Sequence, residues 1–314
     1  MKRKYVKSAG EAGFADFYVT KANEILIPYS NESVGAIGII GAPLSKTSIS
    51  HSGAHLAPNA IRKMLASYST YHIEDNKDLK DTIVTDFGDI EMHVTNNEES
   101  RKRIEESIRE IVESYPALIP IVLGGDHGIS YPSVKALSSL KGRVGVIQFD
   151  AHHDLRNLAD GGRSNGTPFR SLLESGIING KHLFQIGIRN FSNSKPYTEY
   201  GRNQRISMYT MKDVKSLGIE SIMKDCLEKL EQEVDIIYVS VDMDVLDQAF
   251  APGCPAIGPG GMSSDMLLDA ISILAQHKMV GAMDIVEIDP SIDFRDMTSR
   301  VAAHVILHFL VNKF

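Results

Sequence analysis

Residues 143–156 read RVGVIQFDAHHDLR, a short apolar run that ends abruptly in two acids, two histidines and an arginine. An apolar run with no polar alternation fits a strand buried on both faces, as parallel sheets produce. Polar groups at the end of such a strand are costly to bury unless they have partners. The same pattern recurs at VGAIGIIGAP (34–43), TIVTDFGD (82–89), LIPIVLGGD (118–126), HLFQIGIR (182–189), DIIYVSVD (235–242) and MVGAMDIVE (279–287). Between these runs lie helical patterns at NAIRKMLASY (59–68), NEESRKRIEESIREIVESY (97–115), YPSVKALSSL (131–140), IESIMKDCLEKLEQEV (219–234), SSDMLLDAISILAQH (263–277) and TSRVAAHVILHFLVNKF (298–314). Strand alternating with helix along the whole chain predicts a three-layer α/β/α fold around a mostly parallel sheet.

With 314 residues, 43% of them hydrophobic and 23% charged, the chain reads as one domain spanning 1–314, with residues 1–33 as an N-terminal extension. A formal net charge of −7 argues against nucleic acid or an anionic membrane as the partner and favours a small molecule. The basic start MKRKYVKSAGEAG is followed by no apolar segment of the kind that targets or anchors a chain, so a cytoplasmic protein is expected. Two cysteines, Cys226 and Cys254, make no disulfide framework. Cys226 falls at helical spacing with Ile222, Met223, Leu227 and Leu230 and reads as core.

In open α/β sheets, ligands bind outside the carboxyl ends of the strands. The run at 118–126 delivers Gly124, Gly125, Asp126 and then His127; the run at 143–150 delivers Asp150, His152 and Asp154; the run at 235–242 delivers Asp242, Asp244 and Asp247; and the run at 279–287 delivers Glu287. In extended chain, residues two apart share a face, so Asp150, His152 and Asp154 converge while His153 points away. Asp242 and Asp244 converge in the same way. Four carboxylates and two imidazoles at one partly buried locus repel strongly unless cations neutralise them. Two divalent ions do so. Oxygen ligands with two imidazoles suit manganese, with iron, cobalt or zinc as substitutes. The plainer reading, aspartates capping helices, suits any one of these residues but not all six together. Paired metals would activate a water for metal-assisted hydrolysis.

The segments GGDHGIS, DAHHDLR, SVDMDVLD and GAMDIVEIDP, in this order, resemble the ureohydrolase family of arginases, agmatinases and formimidoylglutamases. SGAHLAPNAIRKML resembles the family's early segment, so the likeness runs from about residue 35 to the C-terminus. The resemblance implies an arginase-like fold, two Mn2+ per subunit and a homo-oligomer, a trimer or a hexamer. By motif it implies that His127, Asp150, Asp154 and Asp242 bind the first ion and Asp150, His152, Asp242 and Asp244 the second. Asp154 would relay a proton and Glu287 would anchor a cationic amidine or guanidine.

Two positions depart from arginases. Arg156 stands where they carry Asn, and Asn165 stands where a proton-shuttle histidine is usual. DLR and SNGTPFR look like the formimidoylglutamase branch, which implies manganese-dependent hydrolysis of N-formimidoyl-L-glutamate to L-glutamate and formamide in histidine degradation. An arginine fork suits an acidic amidine substrate. Arg156 and Asn165 would then meet substrate, and Arg163, Arg170, Arg189 and Asn190 are candidates for its second carboxylate. The alternatives are another ureohydrolase that releases urea, or a non-catalytic assembly or regulatory subunit of the same fold.

The remaining candidates read more plainly. His51 and His55 read as loop histidines bonded to backbone or water, His153 as a packing or supporting residue, and His304 and His308 as helix-packing groups. Gln248 follows Asp247 where the family usually has Pro, which leaves the course of the next loop, and the place of Cys254 in it, open. No paired base neighbours Cys254, which speaks against nucleophilic chemistry there.

Overall fold

The computed structural model describes residues 16–31, 33–50 and 52–314; residues 1–15 of the expected extension, and His51, lie outside the described residues. The strands are β1 (Leu26–Pro28), β2 (Ile37–Ala42), β3 (Tyr71–His72), β4 (Lys77–Asp78), β5 (Val84–Asp89), β6 (Ile119–Gly124), β7 (Val144–Phe149), β8 (Leu183–Ile188), β9 (Ser207–Thr210), β10 (Ile236–Asp242) and β11 (Val280–Val286). The α-helices are α1 (Ala57–Leu65), α2 (Asn97–Ser114), α3 (Ser130–Lys141), α4 (Pro168–Glu174), α5 (Lys195–Asn203), α6 (Met211–Leu217), α7 (Ile219–Glu231), α8 (Ser264–Gln276) and α9 (Met297–Lys313). Among the described residues, nine strands form one sheet in the order β1-β5-β2-β6-β11-β10-β7-β8-β9, and β3 and β4 form a separate antiparallel hairpin. Every pairing within the large sheet is parallel.

Strand β7 shows why the apolar runs are unbroken. Val144 and Val146 pack with α2, α3 and α4 on one face, whereas Ile147 and Phe149 pack with α7, α8 and α9 on the other. Both faces are therefore dry, and each residue of β7 is buried. In α2 Ile104, Ile108 and Val112, with partly buried Ile111, make the apolar stripe, while Arg103 pairs with Glu99 and Lys102 with Glu106 along the outer side. The Asn96 side chain caps its start by accepting from the Glu99 amide.

The order of strands makes the cleft. The chain builds β2, β5 and β6 on one side and crosses to β7 and β8 on the other, then returns to fill the gap with β10 and β11. The carboxyl ends of β6, β11, β10 and β7 stand side by side at this switch point, where open α/β sheets bind ligands.

Several elements went unread in the sequence. Within the expected N-terminal extension, Leu26–Pro28 pairs with β5 as an edge strand, too short to show a period. β9 is only half-buried, α4 starts at a proline and α5 contains Pro196 and Gly201, each of which blurs the apolar signal.

The helix histidines pack as expected. The His304 ring meets Tyr68 edge-on at 4.3 Å, and His308 Nδ1 lies 3.1 Å from Ser272 Oγ. Burial, then the neighbouring His304 and His72, push His308 down to about 4, with Asp75 opposing. An unfolded histidine takes its proton near 6.5, so between that pH and about 4 the unfolded chain binds more protons and stability falls as pH drops. We expect His308→Gln to lose less stability than the parent between pH 7 and pH 5. Urea midpoints at the two pH values measure this, and equal losses would rule His308 out.

Candidate metal centre and its pocket

Strand β7 stops at Phe149, and the chain then bends rather than continuing as extended backbone. Asp150, His152 and Asp154 therefore converge through a turn and not through strand alternation as the sequence suggested. Asp154 sits in the left-handed region at φ 51, and so does Glu287 at φ 61. Non-glycine residues are strained there, and such strain gathers where function demands a side chain.

His127 opens the short 3-10 turn that leads into α3. Its approach depends on Gly125, where an added Cβ would fall 1.7 Å from the Leu44 carbonyl oxygen. Around His127 Nδ1 stand Asp154 Oδ2 at 3.0 Å, Asp242 Oδ2 at 3.1 Å and Asp150 Oδ2 at 3.2 Å. His152 Nδ1 lies 2.9 Å from Asp244 Oδ2 and 3.4 Å from Asp150 Oδ1. Asp150 thus belongs to two groups that could hold a metal ion, one with His127 and Asp154 and one with His152 and Asp244.

Backbone amides orient the carboxylates. The His152 amide donates to Asp150 Oδ1 at 2.6 Å, the Asp244 amide to Asp242 Oδ1 at 2.8 Å, and the Ala151 amide to Asp244 Oδ1 at 3.1 Å. Asp242 Oδ2 and Asp244 Oδ2 are left facing the centre.

Polar side chains on the strands complete the support. His127 Nε2 lies 2.9 Å from Ser240 Oγ, and that hydroxyl donates to Asp284 Oδ1 at 2.8 Å. Ser130 and Tyr238 hydroxyls donate to Asp284 Oδ2 at 2.5 and 2.7 Å. With its hydroxyl proton committed to Asp284, Ser240 accepts from His127 Nε2–H, which leaves Nδ1 as the nitrogen turned toward the carboxylates. On the β7 side, Gln148 Nε2 donates to Asp150 Oδ2 at 2.7 Å. Gln185 links Gln148 to His153, whose other nitrogen lies 2.9 Å from Thr198 Oγ1. His153 is therefore a supporting residue, as expected.

His127 Nδ1 is buried and makes no aligned hydrogen bond, although three carboxylate oxygens surround it. A buried imidazole nitrogen held among three carboxylates without an aligned hydrogen bond fits a site for a cation, and the mixed oxygen and imidazole donors fit a divalent first-row metal. Without metal, protons do the neutralising. Burial opposes charge on His152, yet Asp244 and Asp150 push it up to about 12, while burial, then Asp244 and Asp150, hold Asp242 well above the usual carboxylate range. Metal must displace these protons, so affinity rises with pH.

Glu287 closes the floor. Its Oε1 accepts from the His127 amide at 2.8 Å and from Asn165 Nδ2 at 3.0 Å. Burial, then the nearby Asp126, push its carboxyl up to about 8. Above the acids lies a cavity of about 240 Å3, lined by His152, Asp154, Glu287 and Asn165 toward the floor and by Arg156 and Tyr197 toward the mouth. Arg156 is exposed and its guanidinium has no partner among the described residues.

The other expected substrate contacts lie elsewhere. Arg163 stacks 4.6 Å over the Tyr131 ring and faces Glu98, and Arg170 stacks 3.5 Å over Tyr200 beside Glu174. Arg189 is buried, donating through Nη1 to the Leu246 and Gly258 carbonyls at 3.2 Å, and with Asn190 it lines a neighbouring cleft. Each guanidinium found a ring or a carbonyl on another element, which sequence proximity to the site did not reveal. Asp247 accepts from the Ala249 and Gly260 amides and fixes the loop after β10. Cys254 is buried in that loop; burial, then Asp242 and Asp244, hold its thiol well above the ordinary range, so it is no nucleophile.

Ser240, Asp284, Gln148 and Gln185 were missed. Their signal was present, since each is a polar residue inside an otherwise apolar strand run and must therefore have a partner.

Residues 35–311 match the Arginase family. The chain belongs to that family. Among the relatives of this arginase-family chain is the formimidoylglutamase of Halalkalibacterium halodurans, 59% identical over 96% of this chain and 95% of its own. The crystal structure of formimidoylglutamase from Bacillus subtilis superposes with a TM-score of 0.95 at 46% identity, covering 98% of this chain and 96% of that one. Trypanosoma cruzi formiminoglutamase, solved with Mn2+, superposes at 0.84 with 25% identity over 94% of this chain and 98% of that one. No helix among the described residues is long and apolar enough to cross a membrane.

Proposed function

We propose that this arginase-family chain is a formimidoylglutamase that uses two Mn2+ to hydrolyse N-formimidoyl-L-glutamate to L-glutamate and formamide. One observation carries the reading: the cavity has a carboxylate at its floor, Glu287, and at its mouth a guanidinium, Arg156, that has no partner among the described residues. That polarity matches a molecule with an amidinium at one end and carboxylates at the other. The 59% identity to a formimidoylglutamase supports the same substrate.

His127, Asp150, Asp154 and Asp242 would hold one ion, and Asp150, His152, Asp242 and Asp244 the other. When bound, the pair neutralises the four carboxylates and makes hydroxide available near neutral pH. Glu287 holds the amidinium so that its carbon faces the attacking oxygen. Asp154 reaches into the centre, its Oδ2 3.0 Å from His127 Nδ1, and is placed to accept a proton there. It passes the proton of the attacking water to the leaving α-nitrogen as the bond between that nitrogen and the formamidine carbon breaks. Asn165 holds no ionisable proton and takes no part in this transfer.

Release of formamide from N-formimidoyl-L-glutamate by manganese-loaded protein tests the reading. Its absence, with urea from arginine, agmatine or a guanidino acid instead, would assign a different ureohydrolase activity. Arg156→Ala should raise KM about tenfold, the order expected for one charge-assisted contact near solvent, and leave kcat nearly unchanged. An unchanged KM would remove Arg156 from the substrate's path.

A further inference from the structure

The hydrogen bonds around Glu287 divide its carboxylate into two unlike halves. Oε1 accepts from the His127 amide at 2.8 Å and from Asn165 Nδ2 at 3.0 Å. A carboxylate oxygen offers about two lone-pair sites, so Oε1 is full. Oε2 has no partner among the described residues and is the oxygen left for a ligand.

Asn165 cannot turn away to free Oε1. Its Oδ1 accepts from the Ile49 amide at 3.0 Å, and its own amide donates to the Thr47 carbonyl at 2.9 Å. Thr47 in turn is bolted to buried Asp126, donating through its amide at 3.0 Å and its hydroxyl at 2.6 Å. The Ile49 N–H requires the oxygen of the Asn165 amide, so the NH2 end must face Glu287.

We infer that Asn165 is a positioning residue that selects formamidines over guanidines by occupying the Glu287 oxygen that a guanidinium's second amino group would need. The inference rests on the reading that an amidine cation meets Glu287. A guanidinium carries two terminal amino groups and is bound best as a fork across both oxygens of a carboxylate. Here one prong finds Oε1 already occupied and an N–H donor pointing at it. A formamidinium carries a single terminal amino group and a C–H where the other would be. It loses nothing at Oε1. Discrimination of this kind comes from the contact denied to the competitor as much as from the one given to the substrate.

The test compares N-formimidoyl-L-glutamate with its guanidino counterpart, N-carbamimidoyl-L-glutamate, on the manganese-loaded full chain. The readouts are kcat/KM for formamide and urea release, and the inhibition constant of the guanidino compound against the formimidoyl one. Asn165→Ala and Asn165→Ser, whose hydroxyl is too short to reach Glu287, should each shift the ratio about tenfold toward the guanidino compound and tighten its inhibition, the size of one hydrogen bond to a charged group. A loss that merely loosened the 47–50 loop would lower turnover of both compounds together and leave the ratio in place. A ratio within twofold of the parent in both variants overturns the inference while the proposed function stands. A parent enzyme that releases urea more readily than formamide overturns both.

Discussion

Asp150→Ala is expected to lower kcat at least a thousandfold and to leave the protein without a full complement of metal. The argument is geometric. Asp150, like Asp242, is assigned to both ions, and its two oxygens face the two sides of the centre, Oδ2 3.2 Å from His127 Nδ1 and Oδ1 3.4 Å from His152 Nδ1. Loss of a supporting residue behind a ligand costs about 10- to 100-fold in affinity or activity, and a ligand serving both ions must cost more. The fold should survive. The substitution removes one of several like charges packed around His127, and Gln148 Nε2, which loses its acceptor, still faces the His152 carbonyl at 3.3 Å. Plasma mass spectrometry after manganese loading, thermal melts with and without metal, and steady-state rates together check it. Two ions per chain with activity retained would remove Asp150 from the centre.

Glu287→Gln is expected to lower kcat/KM about a thousandfold with metal content unchanged. Breaking one half of a buried, hydrogen-bonded charge pair costs about 2–5 kcal/mol, and the amide that replaces Oε2 would point donors at the donors of an amidinium. The same change should make the protein more stable. A carboxyl held at about 8 in the fold but near 4.5 in the unfolded chain keeps its proton longer when folded. Between those values the native state binds more protons, so stability falls as pH rises through that window. Glutamine never ionises. At pH 7.5 the metal-free variant should melt several degrees above the metal-free parent, and the gap should close below about pH 4.5. Lost activity with an equal or lower melting temperature at pH 7.5 would contradict the burial argument.

The architecture was legible because parallel strands buried on both faces write themselves as unbroken apolar runs. The runs ending at Phe149, Asp242 and Val286 are strands in the structure within a residue or two of where the sequence put them. The acids beyond their ends were conspicuous for the opposite reason, as charge where none is cheap. Their convergence was read correctly and its cause incorrectly, because alternation along a strand was invoked where the backbone bends and turns left-handed at Asp154. Arg163 and Arg189 misled because an arginine on a nearby loop has many ways to be satisfied. A tyrosine face and two carbonyls took them. Asn165 could be located from its motif but not understood, since its meaning lies in bonds to Ile49 and Glu287, 116 and 122 residues away along the chain.

The order in which strands fill the sheet also sets a schedule for the nascent chain. β7 is complete at Phe149, yet β10, which belongs beside it, begins only at Ile236, and β11, which joins it to β6, only at Val280. Until that late pair slots in, β6 and β7 present open edges of a kind that invites mispairing during synthesis. Asp242 and Asp244 leave the ribosome more than eighty residues after His152. An ion met earlier would find only part of the ligand set, because Asp242 and Asp244 would not yet be in place.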